Sequence, residues 1–188
     1  MASSRTAGAA VRERLLRAAG ELIAERGWGA VSTRTVAARA GVGPGLVHYH
    51  FASLQALLAQ AAVEAIRNVA GGMAAATAQA GDVESGLREL VGALFGHAPD
   101  EPVSLLFSEA YLAATRDEDL RAALGEVADE ARVPLAGWLA EHGVPEADAT
   151  AGVVLATLDG LMLHRTLRPG LTTAEVLPVV LRLVRTDD

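Results

Sequence analysis

Between Thr33 and Phe51 the chain reads TRTVAARAGVGPGLVHYHF, which gathers two threonine hydroxyls, two arginines, two imidazoles and a phenol in one short stretch. Several chemistries can be set aside. His48 and His50 stand at i and i+2, which point in different directions on a helix, and no Cys or carboxylate nearby completes a metal-ligand set. The run GVGPG from Gly41 to Gly45 looks like a phosphate-cradling loop, but that fingerprint follows a strand, and here the preceding residues are helix-patterned. It is turn chemistry. No catalytic nucleophile, metal or phosphate motif is recognisable. What remains is recognition. Arg34 carries a planar fork that can pair bidentately with guanine or a phosphate, and it stands with Thr33 at an expected helix N-terminus, where anions are favoured. A short helix exposing Leu46, His48 and Tyr49 beside a glycine suits water poorly and a DNA major groove well, because apolar groups meet thymine methyls there. The plain alternatives are a solvated arginine and an ordinary corner between two helices.

The neighbouring residues position that set. Val36, Ala37 and Ala40 recur at helical spacing, Gly41 can enter a left-handed conformation that stops the helix, and Val42 can plug the gap between two crossing helices. Ser32 or Thr33 caps the first of these helices. Pro44 suits the first turn of the second, whose inward face is Val47 and Phe51. Upstream, Val11 to Arg26 is a helix with Val11, Leu15, Ala18 and Leu22 in one stripe, widened by Leu16, Ala19 and Ile23. An Arg17–Glu21 pair lies on its wet side, Gly27 ends it, and Trp28 packs as a core plug. Met1 to Ala10 reads as a flexible arm.

From Val11 to Leu58 the chain resembles the N-terminal DNA-binding domain of the TetR family of bacterial transcriptional regulators. The resemblance lies in the amphipathic first helix, RTVAARAGV, and GLVHYHF followed by Ser53 and a leucine-rich helix. It implies DNA contacts from Thr33, Arg34, Thr35, Pro44, Gly45, Leu46, His48, Tyr49 and His50, the position of Arg34 reaching base edges or backbone. Departures thin the phosphate clamp. The family usually carries Tyr where His48 stands, Lys where Leu54 stands, and a Ser or Thr cap where Gly43 stands.

Over 188 residues, hydrophobic side chains make up 51% and aromatic ones only 4%, with Ala and Leu dominating, which favours helix over sheet. The expected fold is all-α: an N-terminal three-helix helix-turn-helix domain followed by a helical ligand-binding and dimerisation domain. The net charge of −7 hides a division, with 8 arginines against 4 acidic residues up to Arg67 (+4) and 8 against 19 beyond it (−11). A basic head on an acidic body is expected where one end alone approaches a polyanion. Cysteine is absent, so disulfides and thiolate chemistry are excluded. The first dozen residues hold no apolar signal-like run, and the longest uncharged stretch, Asn68 to Gly81, is too short to span a bilayer. A cytoplasmic protein is expected, with no membrane partner, metal, cofactor or enzymatic activity.

Domain boundaries are expected at 1–52 for DNA binding and 53–188 for effector binding and dimerisation. Ser53 opens a long helix to about Ala70, where Gly71 and Gly72 invite a kink or break. Val83 to His97, Val103 to Thr115 and Asp117 to His142 follow as helices, with a loop at Pro99 to Pro102; acidic Asp117 to Asp119 caps the last of them and forms no catalytic dyad. Glu146 to Leu167 and Thr172 to Val184 are apolar nearly all round, and a second copy is the natural cover. The resemblance implies the same, since TetR-like proteins dimerise through their last two long helices. Val153, Leu158, Leu161, Met162, Val176, Val180 and Leu183 are therefore expected at a homodimer interface. Met73, Phe95, Phe107, Tyr111, Trp138 and His164 are the large or polarisable groups that could line a cavity for an apolar or amphipathic effector. The functional expectation is a repressor released from a palindromic double-stranded operator by a small molecule. The second reading, kept open by Gly43 and Leu54, is a dimeric ligand-binding or interaction protein with weakened DNA binding.

Overall fold

The computed structural model describes residues 2–96, 101–168 and 170–185, and these form helices without any strand. In chain order they are α1 (Ala2–Arg26), α2 (Thr33–Ala40), α3 (Gly45–His50), α4 (Leu54–Ala78), α5 (Val83–Gly96), α6 (Pro102–Ala114), α7 (Glu118–Glu141), α8 (Ala147–Leu167) and α9 (Thr173–Val180). Short 3-10 turns stand at Trp28–Ala30 and Leu181–Val184. Two compact units result: Met1–Ile66 with Pro102–Leu124, and Arg67–Glu101 with Gly125–Asp188. Pro169 and part of the expected Pro99 to Pro102 loop lie outside the described residues.

In the first unit the apolar stripe of α1 goes inward as its spacing dictates. Leu15, Leu22 and Ile23 are fully buried with Val36 of α2, Val47 of α3, and Leu57 and Leu58 of α4. Each such side chain stabilises the unit by about 1.5–3 kcal/mol relative to exposure. Helix α6 belongs to this unit, although it lies far along the chain from residues 1–52. It packs on α1, so closely that a Cβ at Gly20 would stand 3.4 Å from Leu106 Cδ1. Helix α1 starts at Ala2, within the stretch expected as an arm. Residues 2–10 are alanine-rich and hold no proline, so nothing stops the helix from propagating back. Arg17 pairs with Glu13 at 2.9 Å, one turn before it, because Glu21 is engaged elsewhere.

The second unit closes around Leu87, Leu90 and Val91 of α5, Trp138 and Leu139 of α7, Val154 and Leu158 of α8, and Val176, Leu177 and Val180 of α9. Trp138 lies directly against Gly86, where a Cβ would stand 2.3 Å from its ring. Arg67 of α4 reaches Glu130 of α7 through two hydrogen bonds of 2.7 and 3.1 Å, and Arg132 of α7 joins Asp129 to Asp148 of α8. Buried Arg165 of α8 donates to the Leu94 carbonyl and sits 4.6 Å over the Phe95 ring, placing positive charge at the C-terminal end of α5, where the helix dipole favours it. Helix α4 runs unbroken through Gly71 and Gly72, since about 1 kcal/mol of propensity per glycine is too little to break a helix growing from both sides. Among the described residues, no helix is long and apolar enough to cross a membrane.

Candidate nucleic-acid interface

The choice between Ser32 and Thr33 as cap resolves to Ser32. Its Oγ accepts the Thr35 N–H at 3.3 Å, while Thr35 Oγ1 accepts the Ser32 N–H at 3.0 Å, a reciprocal box that starts α2 and leaves Thr33 as the first helical residue. Gly41 ends α2 at φ 66°, ψ 37°, the left-handed geometry that glycine adopts without a Cβ clash. The Val42 N–H then bonds to the Ala37 carbonyl at 3.0 Å and the Gly41 N–H to the Ala38 carbonyl at 3.2 Å, closing the turn before α3. Val47 and Phe51 are buried and hold α3 down. The opposite side is open: Leu46 and His48 are exposed, and Tyr49 keeps 80% of its surface, an exposure without structural reward in water. Pro44 and Gly45 are exposed; Thr33, Thr35 and His50 are half-buried, the His50 ring meeting Tyr49 edge-on at 5.0 Å.

The two arginines of α2 have different fates. Arg39 lies in the forks of two α1 carboxylates, bonded to Glu25 at 2.8 and 2.7 Å and to Glu21 at 3.0 Å. The hydrogen bonds from Arg39 hold the Glu25 carboxyl below its usual range, and donation to both glutamates pushes the Arg39 guanidinium above its own. Because the Glu25 value is depressed, its contribution is present above the ordinary carboxylate range and is lost as pH falls through the lowered value. Solvent screening keeps it small. Arg34 is exposed and, among the described residues, has no ion-pair or hydrogen-bond partner, so its fork is open to a ligand.

Two contacts escaped the sequence pattern, those of Trp28 and of Arg12. Trp28, expected as a core plug, is half-buried and clasped by polar bonds: its backbone N–H donates to Glu109 of α6 at 2.7 Å and its indole N–H to Gln55 of α4 at 3.0 Å. The Arg12 guanidinium lies 5.2 Å from the centre of the Phe51 ring. Leu54, where a lysine was the reference, is half-buried as the first residue of α4, whose start is capped by Ser53 Oγ accepting the Ala56 N–H at 3.0 Å. At Gly43 an added Cβ would meet nothing within 4 Å among the described residues, so no packing demand explains the glycine. Nor do those residues hold a cluster of three His, Cys, Asp or Glu side chains able to bind a metal.

The family model for bacterial regulatory proteins of the tetR family matches residues 15–61, and that for the tetracyclin repressor-like C-terminal domain matches residues 78–186. The chain belongs to the TetR family. Solved relatives follow it along nearly its whole length. SCO7518 of Streptomyces coelicolor A3(2), described as a transcriptional regulator, is 30% identical with a TM-score of 0.80, covering 94% of this chain and 99% of its own. SCO1917 of Streptomyces coelicolor A3, a member of the TetR family, is 29% identical with a TM-score of 0.76 over 94% and 99%. The multidrug binding protein EbrR, solved with imidazole, is 30% identical with a TM-score of 0.71 over 94% and 96%. No curated protein matches. As a TetR-family transcriptional regulator the protein binds DNA, and α2, the Gly41 turn and α3 are its helix-turn-helix.

The remaining candidate residues of this TetR-family chain fall in both units. Phe107 and Tyr111 stack at 4.8 Å on α6 of the first unit, Phe107 buried and Tyr111 exposed. In the second unit Trp138 is part of the core, Met73 and Phe95 pack partly buried against it, and His164 is exposed. A depression of about 570 Å³ lined by Glu126, Asp129, Glu130, Val133 and Pro134 contains none of the six. Of the expected interface residues, Leu158, Val176 and Val180 are buried in the unit's own core, Leu161 and Met162 are half-buried, and Val153 and Leu183 are exposed. Leu163, Leu167 and Val179 are exposed beside them in sequence.

Proposed function

We propose that this TetR-family regulator is a homodimeric repressor that reads a palindromic operator through α2 and α3 and leaves it when a small apolar or amphipathic molecule binds. The observation that carries the DNA reading is the combination of an exposed Arg34, which has no partner among the described residues, with solvent-facing Leu46 and Tyr49 on a buried-backed α3. Dimerisation is supported by the uncovered apolar side chains Val153, Leu163, Val179 and Leu183 on α8, α9 and the turn after it. The effector class is supported by the apolar core against which Met73 and Phe95 pack and to which Trp138 belongs, and by the likeness to a relative described as multidrug binding.

Selection of duplexes from a random-sequence pool by the unmodified protein tests the reading. An inverted repeat is expected, and enrichment of no sequence sinks it. On the enriched duplex, Arg34→Ala is expected to weaken binding by about 1–3 kcal/mol and to relax preference at one position in each half-site. Uniform weakening on every sequence reassigns Arg34 to a phosphate.

A thin phosphate clamp carries its own expectation. Arg39 is held by Glu21 and Glu25 and position 54 is apolar, so the slope of log K against log salt should be shallow. Leu54→Lys is expected to tighten operator binding and steepen that slope by about 0.9. An unchanged slope means that the start of α4 faces away from DNA.

A further inference from the structure

Two helices grip the short linker between α1 and α2. Gly27 takes φ 79°, ψ 156°, a backbone that side-chain-bearing residues rarely adopt, and its N–H closes α1 on the Ile23 carbonyl at 2.9 Å. The next residue, Trp28, opens the 3-10 turn, and the donors at the start of such a turn have no partner within it. Glu109 of α6, a residue 81 positions away, supplies one: its Oε2 accepts the Trp28 N–H at 2.7 Å. The half-buried carboxylate fills the space over Gly27, where a Cβ would stand 3.5 Å from both of its oxygens. The linker is thus shaped to admit this side chain. Gln55 holds the indole N–H of the same residue at 3.0 Å. From Trp28 the chain passes through Val31, buried, to the Ser32 cap, and two residues beyond that to Arg34.

We propose that Glu109 is a positioning residue for DNA reading: by holding the Trp28 backbone it sets the turn from which α2 starts and therefore where Arg34 is presented. The inference rests on the helix-turn-helix reading above. The bond needs a carbonyl-type acceptor oxygen at this reach, and it comes from α6, an element 81 positions along the chain from Trp28.

The test uses the full-length protein and a fluorescein-labelled duplex enriched by the unmodified protein from a random pool. Affinities are read well below the unfolding temperature of each variant, and exchange of the backbone amides from 28 to 36 is followed beside them. Glu109→Ala is expected to weaken binding about ten-fold and to speed exchange in that segment. Glu109→Gln keeps an acceptor oxygen at the same reach and is expected to restore most of the affinity. Glu109→Asp keeps the charge but retracts the oxygens, and it is expected to behave like the alanine variant and serves in its place should that one not fold. Unchanged affinity in the alanine and aspartate variants overturns the proposal, as does full activity of the aspartate variant together with loss in the glutamine one, which makes charge and not reach the requirement. Failure of the unmodified protein to enrich any duplex removes the DNA reading itself, and this inference with it.

Discussion

The regulator carrying Leu163→Glu together with Val179→Glu is expected to sediment as a folded monomer and to lose operator binding by about 10²- to 10⁴-fold, the avidity that two linked heads provide. Both side chains are largely uncovered in the single chain, at 41% and 50% exposure, so charging them leaves the unit's own core intact. In a twofold dimer every substitution occurs twice, and each replaces an apolar contact worth about 1.5–3 kcal/mol by a charge that must be desolvated. Leu158→Glu serves as the contrast. Leu158 is 4% exposed within its own core, so charging it should unfold the second unit rather than separate two folded chains. Sedimentation and circular dichroism on the three proteins separate these outcomes. A double variant that stays dimeric, or an unmodified protein that is monomeric, removes α8 and α9 from the interface.

Gly86→Ala is expected to destabilise the second unit by about 1–3 kcal/mol, a large share of the roughly 5–15 kcal/mol that a domain commands. Two effects compete at this position. Alanine is the better helix former by about 1 kcal/mol, which taken alone would make the change stabilising. Against that, the new methyl would stand 2.3 Å from Trp138 Cη2 and 2.7 Å from Cζ2, well inside contact distance, and the indole is 9% exposed, with the His142 ring tilted against it at 4.6 Å and core residues around it. The ring has little room to retreat. Overpacking therefore wins. Urea unfolding measures the sign, and Gly86→Ala with Trp138→Phe should recover part of the loss, because a smaller ring frees the space. A rise in stability on Gly86→Ala alone would falsify the close contact.

The helix-turn-helix was legible because its signals are local. Gly41 in the left-handed region, the inward Val47 and Phe51 and the α1 stripe all follow from spacing within a few residues. What stayed hidden is what depends on distant partners. Spacing alone pairs Arg17 with Glu21 as readily as with Glu13, and only the packing of α2 on α1 brings Arg39 to Glu21. Trp28 reads as a plug because a lone tryptophan between glycines is usually buried, and the carboxylate that clasps it comes from α6. The last two helices are apolar on every face, so sequence indicates that they need cover without saying which side their own chain provides. Leu158, Val176 and Val180 face inward, and Val153, Val179 and Leu183 are left open. Glycine misled in one place, since Gly71 and Gly72 suggested a break in α4, whereas their propensity cost is too small to interrupt the helix.

That unbroken passage has a kinetic side. Both glycines are exposed, and a Cβ at either would meet nothing within 4 Å among the described residues. Neither a turn nor a close approach calls for a glycine here, yet each lowers the local cost of opening by about 1 kcal/mol relative to alanine. The backbone amides of residues 70–75 should therefore be the first in the middle of α4 to trade their protons for deuterons, through brief local openings.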